Sequence, residues 1–206
     1  MALVSTLLNG VRYDLRNYAD IDFDETLMIH YLNRAITMLD YTLMSYNSDW
    51  TLNNTTATLS DGDDEFTVPT GALNIREVWI DSDRKENVDQ MLLFYKRQFR
   101  LSETGEFSFW SHLGDTVGVD VEADDDYTIT VFYDKASTPI TASGNSTPYE
   151  GRFDNTLREA VVLLCESKKY KQPSEADAAY AKIFERIVHM DLVNRKFVKK
   201  TYRLNF

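Results

Sequence analysis

TLNNTTATLSDGDDEFTVPTGALNIREVWID (residues 51–81) is where the hydrophobic period of this chain changes. Before it, apolar residues recur every three to four positions. Within it they alternate, with turn chemistry at Asp61-Gly62. Phe66 and Val68 alternate and stop at Pro69, and the run ALNIREVWID alternates around Ile75, Val78 and Ile80. A period near two marks a half-buried strand and a period of 3.6 a helix, so the chain passes here from helix to sheet.

Upstream the sequence predicts two helices. Val4, Leu7, Leu8, Val11, Leu15 and Tyr18 make the first apolar stripe, with Ser5 or Thr6 as its cap and Gly10 weakening it slightly. Asp22 or Asp24 caps the second, whose stripe runs through Met28, Leu32, Ala35, Ile36, Leu39, Leu43 and Tyr46. The short break between them predicts an antiparallel pair.

Downstream, VDQMLLFYKRQFRL is ambiguous, with Met91, Tyr95 and Phe99 at helical spacing, whereas GEFSFWSHLGD puts Phe107 and Phe109 on one face of a strand. DTVGVDVEADDDYTITVFYDKA reads as a hairpin. Val117, Val119 and Val121 lie on one arm, Ile129, Val131 and Tyr133 on the other, and Asp124 to Asp126 form the turn. After the Ser/Thr/Pro break at Asn145 to Glu150, a helix striped by Phe153, Leu157, Val161, Leu164 and Cys165 is capped by Asp154 and ended by Pro173. A second carries Tyr180, Ile183, Phe184, Ile187 and Met190.

The expected fold is therefore α+β and mainly helical. An N-terminal helix pair (1–50) and a C-terminal helix pair (145–193) form a bundle. Between them sits a small antiparallel β-sheet insertion (51–144) of about four to six strands, and an extended tail (194–206) follows.

Charge is polarised along the chain. Met1 to Gly151 holds 10 Lys and Arg against 26 Asp and Glu, a net of −16, while Arg152 to Phe206 holds 12 against 7, a net of +5, giving −11 overall. The final stretch, NRKFVKKTYRLNF, is basic and carries Phe197, Tyr202 and Phe206. Such polarity points to two surfaces with different neighbours, or to a solvated acidic face and a solvated basic tail.

Catalytic signatures are missing from the sequence. His30, His112 and His189 lack HxxxH or HExxH spacing, and neither a phosphate-cradling glycine loop nor a GxSxG elbow occurs. The sole cysteine, Cys165, sits on the apolar side of its helix and reads as a buried structural thiol. The acidic runs at Asp61 to Glu65 and Asp120 to Asp126 lack the glycine and glutamate of an EF-hand loop, so solvated turns are expected rather than a metal. Trp50, Trp79 and Trp110 are scattered and read as core anchors, with sugar or base stacking as the alternative. No enzyme activity, cofactor or metal is expected. The opening segment lacks a secretory h-region, and no apolar run reaches the length of a membrane span.

The ordered combination of VRYDLRNY, IHYLNRAITMLDY, FTVPTGALNIREVWID, ITVFYDKAST and FDNTLREAVVLLCESKKY resembles the head-to-tail adaptor (connector) proteins of tailed bacteriophages over almost the whole chain. The individual motifs are loose patterns of hydrophobicity and turn. The resemblance implies a structural virion protein at the head-tail junction, assembled in the host cytoplasm as an oligomeric ring, commonly of twelve copies. Helices would build the ring wall, and the sheet insertion would face outward or toward the tail. The implied partners are the portal protein and tail or tail-tube proteins, with DNA passing through the channel during packaging and ejection. Head-completion and tail-terminator rings are tail-side alternatives.

The residues themselves suit docking. Arg195, Lys196, Lys199, Lys200 and Arg203 match an acidic partner surface, and Phe197, Tyr202 and Phe206 are aromatic anchors. The competing reading is a nucleic-acid-binding protein whose basic tail touches phosphates, which the acidic remainder of the chain opposes.

Overall fold

The structure, a computed structural model, describes residues 3–15, 24–46, 48–100 and 103–170, together with Lys182 and Glu185. In chain order its elements are α1 (Val4–Asp14), α2 (Glu25–Ser45), β1 (Leu52–Leu59), β2 (Glu65–Thr67), β3 (Ala72–Ile80), β4 (Asp83–Asn87), α3 (Gln90–Phe99), β5 (Phe109–Leu113), β6 (Thr116–Val119), β7 (Tyr127–Lys135), a 3-10 turn (Tyr149–Gly151) and α4 (Asp154–Tyr170). They form two compact units: a helical unit, Met1–Trp50 with Ser137–Phe206, and a sheet unit, Thr51–Ala136.

In the helical unit, α4 is the central element. Both α1 and α2 pack on it rather than chiefly on each other, which corrects the expected antiparallel N-terminal pair. Leu7, Leu8, Leu32, Leu39, Leu157 and Val161 are among the side chains of one shared core. Cys165 is buried in that core. The Arg158 side chain of α4 lies over Gly10 of α1, and its guanidinium pairs with Asp14 at 2.5 and 2.6 Å.

The helix ends are satisfied in two ways. Asp24 caps α2 by accepting from Leu27 N (2.6 Å), and Asp89 does the same for α3 from Leu92 N (2.9 Å). α1 has no side-chain cap at Ser5 or Thr6. Instead the N–H groups of Val4 and Ser5 donate to the carbonyls of Asn145 and Ser143, so a neighbouring loop fills the valences that every helix start leaves open. Asp154 is the first residue of α4 rather than its cap. The second helix of the expected C-terminal pair lies outside the described residues apart from Lys182 and Glu185, both helical.

The sheet unit overturns the mainly helical reading. Its seven strands form one sheet in the order β1-β7-β3-β4-β5-β6-β2, and the two ends come close enough to make a nearly closed, barrel-like unit. The protein is mixed α+β, and the interior of the sheet is a core of its own, including Leu59, Phe66, Val78, Trp110, Val119 and Ile129.

The expected hairpin of 115–135 does not form. β6 pairs with β5 and β2, whereas β7 pairs with β1 and β3. Local alternation specifies which face of a strand is buried; the choice of partner is settled by closure of the whole sheet. β4 and β5 pair in parallel, through Glu86↔Phe109 and Asn87↔Trp110. A parallel pair needs a crossover, and α3 supplies it.

Candidate assembly surfaces

The docking residues expected in the tail, Arg195, Lys196, Phe197, Lys199, Lys200, Tyr202, Arg203 and Phe206, lie outside the described residues. What the described residues offer is a set of buried polar centres, an acidic rim and one apolar helix face.

The buried centres are structural. Asp134 at the end of β7 is fully enclosed and meets Arg76 of β3 as a two-point pair, with Arg76 Nε donating to Oδ2 at 2.9 Å. Thr51 Oγ1 donates to Oδ1 (2.6 Å) and Asn74 Nδ2 to Oδ2 (3.3 Å). Burial pushes the Asp134 carboxyl up, but hydrogen bonds from Arg76, Thr51 and Asn74 outweigh it and hold the group below the ordinary carboxylate range. Lys85, the inward residue of β4, is held by Asp83 (2.6 Å) and Glu106. These partners overcome the effect of its burial and raise its affinity for the proton.

In the helical unit, Asp40 of α2 accepts from Ser137 N (2.8 Å), Ser137 Oγ (2.9 Å) and the Tyr149 hydroxyl. Burial raises its carboxyl despite those donors. Tyr149 also stacks edge-on against Trp50 and Phe153. Trp50 and Trp110 both serve packing: Trp50 lies against Tyr149 and Phe153, and Trp110 is buried with its indole N–H donating to the Lys85 carbonyl (3.2 Å).

The two acidic runs, separate in sequence, meet in the fold. Gly62 N donates to the Ala123 carbonyl (2.9 Å), Ala123 N to that of Asp63 (3.0 Å), and Asp61 N to the Asp126 carboxylate (3.1 Å). Asp61, Asp63, Glu65, Glu122 and Asp124 to Asp126 are exposed there. Asp120 leaves this group. It is buried, accepts from the N–H groups of Ser108 and Phe109 (both 2.9 Å) and pairs with Arg100. Asp124 accepts from the Tyr127 hydroxyl (2.5 Å), and this bond is the main reason the phenol is pushed up to about 12. Among the described residues no group of three or more His, Cys, Asp or Glu is placed to hold a metal.

The basic side chains beside the rim are already engaged. Arg97 spans the Val119 and Asp64 carbonyls (both 2.7 Å) and the Asp64 carboxylate (2.8 Å), and Arg100 pairs with Glu103 (2.5 Å) as well as Asp120. Each guanidinium therefore meets a carboxylate, so this rim is a poor seat for a phosphate.

Composition divides with the units. Thr51–Ala136 holds 7 Lys and Arg against 18 Asp and Glu, a net of −11, and the helical unit holds 15 of each. The whole net charge of the protein thus resides in the sheet unit.

α3 forms where the sequence was ambiguous but carried Met91, Tyr95 and Phe99 at helical spacing; its exposed apolar surface was not foreseen. Leu93 is buried, yet Met91, Leu92, Phe94, Tyr95 and Phe99 are all exposed, Phe99 at 85%. Met91, Phe94, Tyr95 and the two glutamines Gln90 and Gln98 line a shallow groove. Its sequence, QMLLFYKRQF, mixes six apolar residues with Gln90, Lys96, Arg97 and Gln98, so spacing alone does not say which apolar side chains stay in water.

No curated protein matches the chain. Residues 2–197 match the SU10 adaptor protein family, which spans both units. That match covers nearly the whole chain: it belongs to the SU10 adaptor protein family, the structural adaptors of phage virions.

Proposed function

We propose that this phage adaptor forms a ring between the portal and the tail, at the head-tail junction, and that DNA passes through its channel during packaging and ejection. The observation that carries the reading is the segregation of charge, with the full −11 on the sheet unit and a balanced helical unit. A conduit for DNA must not hold it. In this reading the acidic sheet unit flanks the channel on its tail side, where fixed negative charge repels the phosphate backbone; attraction through many cations would instead bind DNA tightly at physiological salt.

The tail has the complementary chemistry. Residues 194–206 carry five Lys and Arg and three aromatic residues, the composition of a strip that anchors by aromatic side chains and steers by charge. In this reading the strip docks on the portal, and the homo-oligomer is a dodecamer.

Two assays on the full chain separate this reading from a nucleic-acid binder. The adaptor should co-sediment with portal rings at physiological salt and leave duplex DNA unshifted in a gel. Failure to sediment with portal, together with a DNA shift that weakens steeply with salt, would assign the tail to phosphates instead.

A further inference from the structure

Half of the exposed large apolar side chains among the described residues sit on α3: Met91, Leu92, Phe94, Tyr95 and Phe99, out of ten. An aromatic side chain carries about 150–250 Å² of surface. With Phe94 and Tyr95 each 53% exposed and Phe99 85%, these three alone leave roughly 300–450 Å² of apolar surface in water. That is as large as the largest patch on an ordinary monomer and about half of one side of a standard protein–protein interface. Aromatic residues and Met with uncharged Gln at the edges are the composition of an interface core.

Charge selects the occupant. α3 rides on a unit of net −11, so packing α3 against α3 of a second copy would press two strongly acidic units together. The helical unit, of net zero, meets no such opposition. Its helix α2 presents an exposed stripe of His30, Arg34, Thr37, Tyr41 and Ser45, spaced three and four apart. That stripe contains no acid and one arginine, and Tyr41 within it is 60% exposed.

We propose that α3 of one copy docks on the α2 stripe of the next. The contact joins two different surfaces, and a repeated contact of that kind closes into a ring when its rotation permits. This inference rests on the ring reading above and names the surfaces that would build the ring.

The test uses the full chain with a photo-activated benzoylphenylalanine in place of Phe94. Cross-linked products are sized and their attachment points mapped at several protein concentrations. Between-copy products joined to residues 30–46 are expected. Phe94→Asp should weaken self-association about thirtyfold, the loss typical of an interface hot spot. Tyr41→Asp, which sets an acid opposite the acidic unit, should weaken it from the other side. Circular dichroism should be unchanged for both variants, because both side chains are exposed. Oligomers that form while position 94 cross-links within one chain, to α3 of the second copy, or not at all, would overturn this contact and leave the ring reading standing. Unaltered assembly of both Asp variants would do the same. A chain that stays monomeric at every concentration would overturn the contact and the ring together.

Discussion

The Tyr149 hydroxyl donates a hydrogen bond to the carboxylate of Asp40, 109 residues earlier in the chain, from a backbone held at φ +56°. Glu150 repeats that φ and Gly151 follows at +81°, so three left-handed residues in a row carry the chain into α4. Two of them bear side chains, and such conformations persist when their surroundings over-determine them. Here the determinants are Asp40 beneath the turn and the edge-on packing of Tyr149 against Trp50 and Phe153.

Tyr149→Phe should keep the ring packing and remove the donor. The buried Asp40 then loses one of its three donors, and the helical unit should be destabilised by about 1–3 kcal/mol. Segment-resolved hydrogen exchange over the helical unit checks this; a loss below about 0.3 kcal/mol would show that the bond contributes little.

Asp40 and Asp134 should have opposite pH signatures. Burial holds the Asp40 carboxyl above its ordinary value, so its contribution to stability is complete below an unfolded value near 3.8 and is lost as pH rises through the higher native one. Asp134, lowered by its donors against the effect of burial, contributes above the unfolded value and loses that contribution as pH falls through the lower native one. The stability difference between wild type and Asp40→Asn should therefore shrink with rising pH, and that between wild type and Asp134→Asn should grow. Segment-resolved hydrogen exchange reads the two units separately and avoids assuming a single transition.

Arg76→Met should leave Asp134 as an uncompensated buried charge, a cost of about 3–5 kcal/mol confined to the sheet unit. Leu39→Ala, in the core shared with Val161 and Leu164, should cost the helical unit about 2–5 kcal/mol. Exchange rates that rise in one unit for each variant, and not in the other, are the expected result.

These variants also mark what could be read from the sequence. The stripes of α1, α2 and α4 are plain there because a helix on a core repeats its apolar face every turn, and Met28, Leu32 and Leu39 are buried as that period requires. The sheet was underestimated for a physical reason. β4 is DRKEN, with no apolar residue, and its inward position is Lys85, satisfied by two carboxylates that no local pattern announces. The same holds for the pairing of β6 and β7, which depends on partners far along the chain. Of the surfaces, the charge polarity was legible, whereas the meeting of the two acidic runs and the exposure of α3 required the fold.

Deleting residues 194–206 should leave the melting of both units nearly unchanged, since the last apolar helical stripe of the sequence stops at Met190. It should weaken sedimentation with portal rings by several kcal/mol, with Phe197→Ala and Tyr202→Ala each more damaging than a single Lys→Ala change, which acts mainly on encounter rate. Docking at full strength without the tail would remove its assigned role.

If this adaptor works as a ring through which DNA passes, negative-stain imaging of the purified full chain, alone and mixed with portal, should show it. Annular particles with an open centre that stack coaxially on the portal are expected. Particles that remain single copies in both samples would contradict it.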